Sequence, residues 1–187
     1  MPRSVVIAFY GHTAESAKGA TGKPEYQFLS NFSRCQFSLD GNTFYSTEQW
    51  LHWSKAHLFK DKMIANKILS LLNEDDLESD NTNWTNKNKK IKALGRKVAK
   101  FDAERWDASK FEIMKKGLYA KFSQDEGLKQ ILLSTSHNTL AEASANDKIW
   151  GIGLSTKSPA VKDKSKWKGQ NLLGRALMQV RKALRSE

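Results

Sequence analysis

Residues 36–58 read QFSLDGNTFYSTEQWLHWSKAHL, and this stretch decides the fold. Two short runs, Gln36-Phe37-Ser38-Leu39 and Thr43-Phe44-Tyr45, alternate polar and apolar residues on either side of Asp40-Gly41. Both turn residues tolerate positive φ, which a two-residue turn between twisted strands demands, so the pattern predicts a β-hairpin. Immediately afterwards Ser46 stands three residues before Gln49, with Glu48 in the first turn. That is a capping box with an acidic group placed to suit the helix dipole, and it predicts a helix running to His57 or Leu58.

Working outward, residues 4–10 (SVVIAFY) predict a buried strand, and the Gly/Ser/Thr-rich residues 11–25 a flexible loop. On the C-terminal side, apolar residues at helical spacing predict a helix over residues 61–72, carried by Met63, Ile64, Ile68, Leu71 and Leu72. An acidic, Asn-rich loop over 73–86 follows. Then come stripes at Ile91, Leu94, Gly95, Val98 and Phe101; at Phe111, Met114, Leu118 and Phe122; and at Leu128, Ile131 and Leu132. Residues 139–144 predict a strand, and 149–154 are too glycine-rich for a helix. Residues 155–170 predict a flexible Lys-rich loop, after which Asn171 caps a last helix with Leu172, Leu173, Leu177, Val180 and Leu184 inward. The class is α+β, a mostly helical single domain over 1–187 with a small β-sheet and hairpin.

Lys and Arg number 31 against 20 Asp and Glu, a net charge of +11 that favours anionic partners. Nucleic acid, phosphorylated metabolites and an acidic membrane face are the candidates; soluble Lys-rich helices are the plain alternative. With 39% hydrophobic and 10% aromatic residues the chain can bury a core, unlike a disordered tail. The single cysteine, Cys35, excludes a disulfide framework and a multi-thiolate zinc site, and fits a reducing interior, cytoplasmic or nuclear. No apolar run reaches the roughly 18–20 residues of a membrane span, and the N-terminus has too short an apolar stretch for a secretory signal.

No Walker or dinucleotide-type glycine loop occurs. The histidines (His12, His52, His57, His137) show no metal-ligand spacing; on one helix His52 and His57 lie about 140° apart, so no metal is expected. Glu48 and Lys55, seven apart, share one face of the predicted helix, with Leu51 or His52 between them. They read either as solvated surface charges or as an acid/base and amine turned into a pocket, where a desolvated lysine attacks a carbonyl-like carbon. Asp147 and Trp150 precede Gly151-Ile152-Gly153, where glycines allow a ligand close to the backbone and Trp offers a stacking plate; the alternative is a core Trp beside a tight turn. Asn31, followed by Phe32 in an aromatic loop, can bond a base edge or a sugar hydroxyl, or sit at a strand edge. Arg96 after Gly95 and Arg175 after Gly174 can fork onto phosphate, and the Asn171 helix start offers free amides to an anion.

Seven segments in order then resemble the NADAR (YbiA-like) family. They are 28–32 (FLSNF), Thr47-Glu48-Gln49 with Lys55, Gly95-Arg96, Lys121-Phe122, 140–143 with Glu142, 147–153, and 169–181 (GQNLLGRALMQVR). The match covers residues 28–181, and the segments 11–25 and 155–170 are longer than in compact members. The resemblance implies no metal and no cofactor, and an N-glycosidase acting on ribosyl adducts. Two substrate classes go with it: ADP-ribose on guanine, in DNA or a nucleotide, and the phosphoribosylamino-pyrimidine intermediates of riboflavin synthesis. It places Glu48, Asp147 and Trp150 in active-site motifs. A catalytic set of Glu48, Lys55 and Asp147 is therefore expected, with substrate bound by Asn31, Phe32, Gly95, Arg96, Trp150, Gly151, Gly153, Asn171 and Arg175. ADP-ribosylated guanine and single-stranded DNA are the expected partners of a monomer that binds no membrane. A non-catalytic reader of ADP-ribose or nucleic acid is the competing class.

Overall fold

The computed structural model describes residues 5–186. They form two compact units: the residues up to Ser33 together with those from Asp125 onward, and Arg34–Gln124.

The second unit grows from the hairpin. Strands β2 (Phe37–Leu39) and β3 (Asn42–Phe44) pair antiparallel, Phe37 opposite Phe44, around Asp40 and Gly41, whose φ values are +50° and +76°. Both turn residues thus take the left-handed conformation that this dipeptide permits. Helix α2 (Thr47–Leu58) follows, with the Ser46 hydroxyl accepting the Gln49 N–H. The return half of the expected capping box shifts by one residue, since Gln49 Oε1 accepts from Tyr45 N. Gln49 Nε2 then donates to the Ile68 and Leu69 carbonyls of α3 (Lys62–Leu69), which pins two helices together through one buried amide. Helices α4 (Asn81–Gly95) and α5 (Ala103–Ser123) also pack on α2, so nine of its twelve residues are buried.

The first unit joins β1 (Val6–Phe9) and β4 (Thr139–Glu142) as a parallel pair, with α1 (Ala14–Thr21), α6 (Glu126–Ser134) and α7 (Leu172–Arg185) around it. The strand expected over 4–10 is β1; residue 4 lies outside the described residues. In α7 the buried positions Leu173, Leu177, Val180 and Leu184 recur at helical spacing, as expected.

Four expectations need correction. Residues 11–25 are not a loop but hold α1, because Thr13 and Ser16 form a reciprocal capping box, and a 3₁₀ turn at Pro24–Leu29. The Asn-rich loop ends early: the Asp80 carboxylate accepts from Thr82 N and Asn83 N and starts α4 within it. The stripe through Val98 and Phe101 breaks, since α4 ends at Gly95 and Lys100 sits at φ +52°. Residues 155–170 contain two 3₁₀ turns, and Val161 buries itself with Ala141, Ala143 and Ile152 while Trp167 Nε1 donates to its carbonyl.

Among the described residues, no helix is long and apolar enough to cross a membrane, and no three His, Cys, Asp or Glu side chains gather as a metal-binding group.

Candidate active site

Helix α2 sets Glu48 in its first turn, where packing from α4 removes it from water. The residue is 5% exposed, and its Oε1 lies 3.0 Å from His52 Nε2, one turn along the same helix. Burial pushes the carboxyl pKa up. The His52 hydrogen bond and the charges of His52, Lys92 and Arg96 outweigh it, leaving Glu48 below the ordinary carboxylate range. A carboxylate buried and still ionised at neutral pH is costly unless it has such partners. The observation therefore separates Glu48 from a solvated helix-start acid.

Lys55 lies two turns on. Its Nζ is 4.2 Å from the centre of the Phe101 ring and 5.5 Å from that of Trp106, and it makes no hydrogen bond or ion pair with any described residue. Burial first, and then the nearby charge of Arg96, hold its amine below the usual lysine range. Arg96 ends α4, its N–H donating to the Lys92 and Leu94 carbonyls, and its exposed guanidinium acts on both Glu48 and Lys55. Glu48 and Lys55 thus lie two turns apart on α2, and the charge of Arg96 acts on both. Such a set can polarise water, capture an aldehyde and hold a phosphate.

In the other unit, residues 147–153 form a loop knitted to β4 and to the start of α7. Asp147 Oδ1 accepts from Ile149 N and Trp150 N, closing a tight turn. Ile152 N donates to Glu142 O, and Lys168 N to Ile152 O. A Cβ on Gly151 would stand 2.8 Å from Asp147 O and 3.0 Å from Glu142 O, and Gly153 has φ +68°. Gly151 answers to backbone of its own loop and of β4, and Gly153 to Lys168 and Gly169. Asn171 has φ +52°, and its side chain bridges β4: Oδ1 accepts from Glu142 N, while Nδ2 donates to Leu140 O. The amides of Leu172 and Leu173 donate to Ile149 O and Trp150 O, so the free-amide anion site expected at this helix start is already filled. Asn31 is buried; Phe32 is half-buried, its ring 5.7 Å from that of His12. Trp150 is half-buried, and Arg175 faces solvent in the first turn of α7.

The NADAR domain family matches residues 9–185, through both units. The chain belongs to it. Among NADAR relatives, "N-glycosidase R617" of Acanthamoeba polyphaga mimivirus is 40% identical over 154 residues, covering 82% of each chain. The solution structure of the Escherichia coli protein YbiA superposes with a TM-score of 0.69 at 26% identity, covering all of this chain and 88% of that one. A "Riboflavin biosynthesis protein" of Vibrio vulnificus is 29% identical over 157 residues, 84% of this chain but only 35% of its own length.

Within this NADAR chain, Glu48 and Lys55 lie two turns apart on α2 and Arg96 follows α4, all three in one unit. The structure places Asp147, Trp150, Gly151, Gly153, Asn171 and Arg175 in the other unit, with Asn31 and Phe32. Gly95 faces inward instead of toward ligand: a Cβ there would lie 1.9 Å from His52 Nδ1. Four residues escaped the sequence reading in these roles. His52, four residues after Glu48, and Lys92, four before Arg96, were visible as one-turn neighbours. Phe101 read as core but is 47% exposed under the Lys55 amine, and nothing local marks Trp106 as its companion.

Proposed function

We propose that this chain is an N-glycosidase that hydrolyses the bond between ribose and a nucleobase-like nitrogen, with ADP-ribosylated guanine as its substrate. The observation that carries the reading is Glu48, buried at 5% exposure with its Oε1 3.0 Å from His52 Nε2, two turns from Lys55 on the same helix. Cleavage of an N-glycoside passes through an oxocarbenium-like state, which needs a nearby carboxylate and an activated water or nucleophile. A module that only binds ADP-ribose has no use for Glu48 and Lys55 held in this way. Because Asp147 Oδ1 is engaged by two loop amides, the charge-stabilising task goes to Glu48 in this proposal. Lys55 condenses with the ring-opened sugar aldehyde, losing water to form a Schiff base that water later hydrolyses to release the sugar and free the amine, and Arg96 holds phosphate. Borohydride reduction during turnover should leave a sugar adduct on Lys55; absence of any adduct removes the Schiff-base step. Replacing Arg96 with Ala should raise KM, and an unchanged KM with the fold intact rejects its phosphate role. Asn31, Phe32, Trp150 and Arg175 remain proposed substrate contacts, each tested by the same comparison of KM after substitution.

The names of the mimivirus relative, N-glycosidase R617, and of the 28% identical Escherichia coli relative, N-glycosidase YbiA, support the reaction class. The Vibrio relative's name favours a second substrate, a phosphoribosylamino-pyrimidine of riboflavin synthesis. Incubating the protein with an ADP-ribosylated guanine oligonucleotide and, separately, with the aminopyrimidine phosphoriboside distinguishes them by which one releases sugar. Binding to a DNA substrate should also weaken steeply with salt, through counterion release, whereas a small phosphate ester should show little change. The exposed Lys157, Lys162, Lys164, Lys166 and Lys168 are the proposed backbone grip. Neutralising them should slow processing of DNA and spare a free nucleotide; equal effects on both count against the grip. The attacked base must then be single-stranded or turned out of the stack.

A further inference from the structure

We propose that His52 is a positioning residue for Glu48, fixing Oε1 so that Oε2 is the oxygen offered to substrate or water, and that Gly95 is there to admit its imidazole. The proposal rests on the hydrolytic reading above and assigns a task that neither residue had in it.

Three observations converge. His52 Nε2 meets Glu48 Oε1 at 3.0 Å inside the unit, His52 being 9% and Glu48 5% exposed. With the carboxylate ionised, Nε2 must carry a proton, so the imidazole is the donor and Glu48 Oε1 the acceptor. Oε2 makes no hydrogen bond with any described residue, which leaves one oxygen held and one available. Next, α4 comes so close to α2 that a Cβ on Gly95 would sit 1.9 Å from His52 Nδ1, 2.6 Å from Cγ and 2.8 Å from Cε1. No side chain other than hydrogen fits there unless the ring leaves, and a displaced ring releases Oε1. Last, His52 Nδ1 is buried with no hydrogen-bond partner. A buried polar atom left unmet costs stability that an apolar side chain of similar size would avoid. Packing alone therefore does not account for imidazole here, while the bond to Glu48 does.

The charged groups that face the carboxylate are His52 on its own helix and Lys92 and Arg96 from α4. Keeping Lys92 and Arg96 in every variant isolates the imidazole. The experiment is a carbon-13 titration of the Glu48 carboxyl in the full chain, which needs no substrate, paired with the pH profile of kcat/KM. His52→Leu should raise the Glu48 midpoint by about one to two pH units, the range expected for losing a hydrogen bond to a charged group. The acid limb of kcat/KM should move by the same amount. His52→Gln, which keeps a donor near Nε2, should return most of both shifts. Gly95→Ala should act like His52→Leu in the parent chain and add nothing in a His52→Ala background, where no ring remains to collide. An unmoved Glu48 midpoint in folded His52→Leu overturns the proposal, as does a Gly95→Ala effect that persists without the ring. Full activity in Glu48→Gln would instead overturn the hydrolytic reading, and the titration would still report on His52.

Discussion

Gly117 in α5 offers a prediction in which two effects of opposite sign compete. A Cβ built there falls 2.1 Å from Trp50 Cδ1, 2.5 Å from Nε1 and 2.8 Å from Cγ, inside any tolerable contact. Trp50 cannot step aside cheaply. It is 2% exposed, its ring meets Phe44 edge-on at 5.2 Å and Trp53 at 5.8 Å, and its Nε1 donates to Ile113 O at 2.7 Å. Overpacking a filled core costs about 1–3 kcal/mol. Losing the indole bond leaves the buried Trp50 Nε1 without an acceptor and costs about 1–3 kcal/mol more. Against this, Ala in place of Gly inside a helix gains at most about 1 kcal/mol. The sum for Gly117→Ala is destabilising by about 1–6 kcal/mol across the whole range of these estimates. Gly19 in α1 has nothing within 4 Å of its built Cβ. The same change there should therefore stabilise by about 0.5–1 kcal/mol. Urea unfolding followed by tryptophan fluorescence and far-UV circular dichroism measures both. A Gly117→Ala chain as stable as its parent would refute the packing described for α2 against α5.

Lys121 is fully buried, and burial lowers its pKa to about 8. Between pH 8 and 10.5 the unfolded chain holds a proton that the folded chain does not, so stability should rise with pH relative to Lys121→Met, by about 3 kcal/mol in all. A flat difference in denaturation free energy between the two chains across that window would contradict it. Lys55 should acylate with a pH midpoint below that of a lysine model peptide, and Arg96→Ala should move the midpoint up without restoring it fully, because burial is the larger cause. Mass-spectrometric mapping reads this, and an unshifted parent midpoint would count against the amine assigned to Lys55. Asn171→Ala loses two bridging bonds and strains a φ of +52°, so it should cost about 2–4 kcal/mol, whereas Asn171→Gly should cost less because it loses only the bonds. The reverse order in urea denaturation would show that the left-handed backbone carries no strain.

The hairpin and α2 were legible because each rests on a local rule: Asp40-Gly41 demands positive φ twice, and Ser46 caps whatever follows it. Helix α1 was missed for the opposite reason. It buries only Ala17 and so shows no apolar stripe; its Thr13–Ser16 capping box was the sole signal. The start of α4 hid behind asparagines, one of which belongs to the core: Asn88 Oδ1 accepts from Ser46 Oγ at 2.7 Å, and Nδ2 donates to Trp84 O. A polar residue satisfied inside a core cannot be told from a loop residue by hydropathy. At the site, Glu48 and Lys55 were readable from one helix face. The task of Gly95 was not, because it depends on how closely α4 approaches α2, a tertiary distance that no spacing encodes. Asn171 likewise reads as a helix cap, whereas its amide is committed to β4.

The central claim, that Glu48 is the carboxylate of an N-glycosidase, is tested most directly by single-turnover release of sugar from an ADP-ribosylated guanine oligonucleotide, comparing the parent chain with Glu48→Gln. Glutamine keeps the size and the contact to His52 but carries no charge and takes no proton. Release by the parent and a loss of at least about 100-fold in the variant is the predicted result. Release by Glu48→Gln at the parent's rate would contradict it.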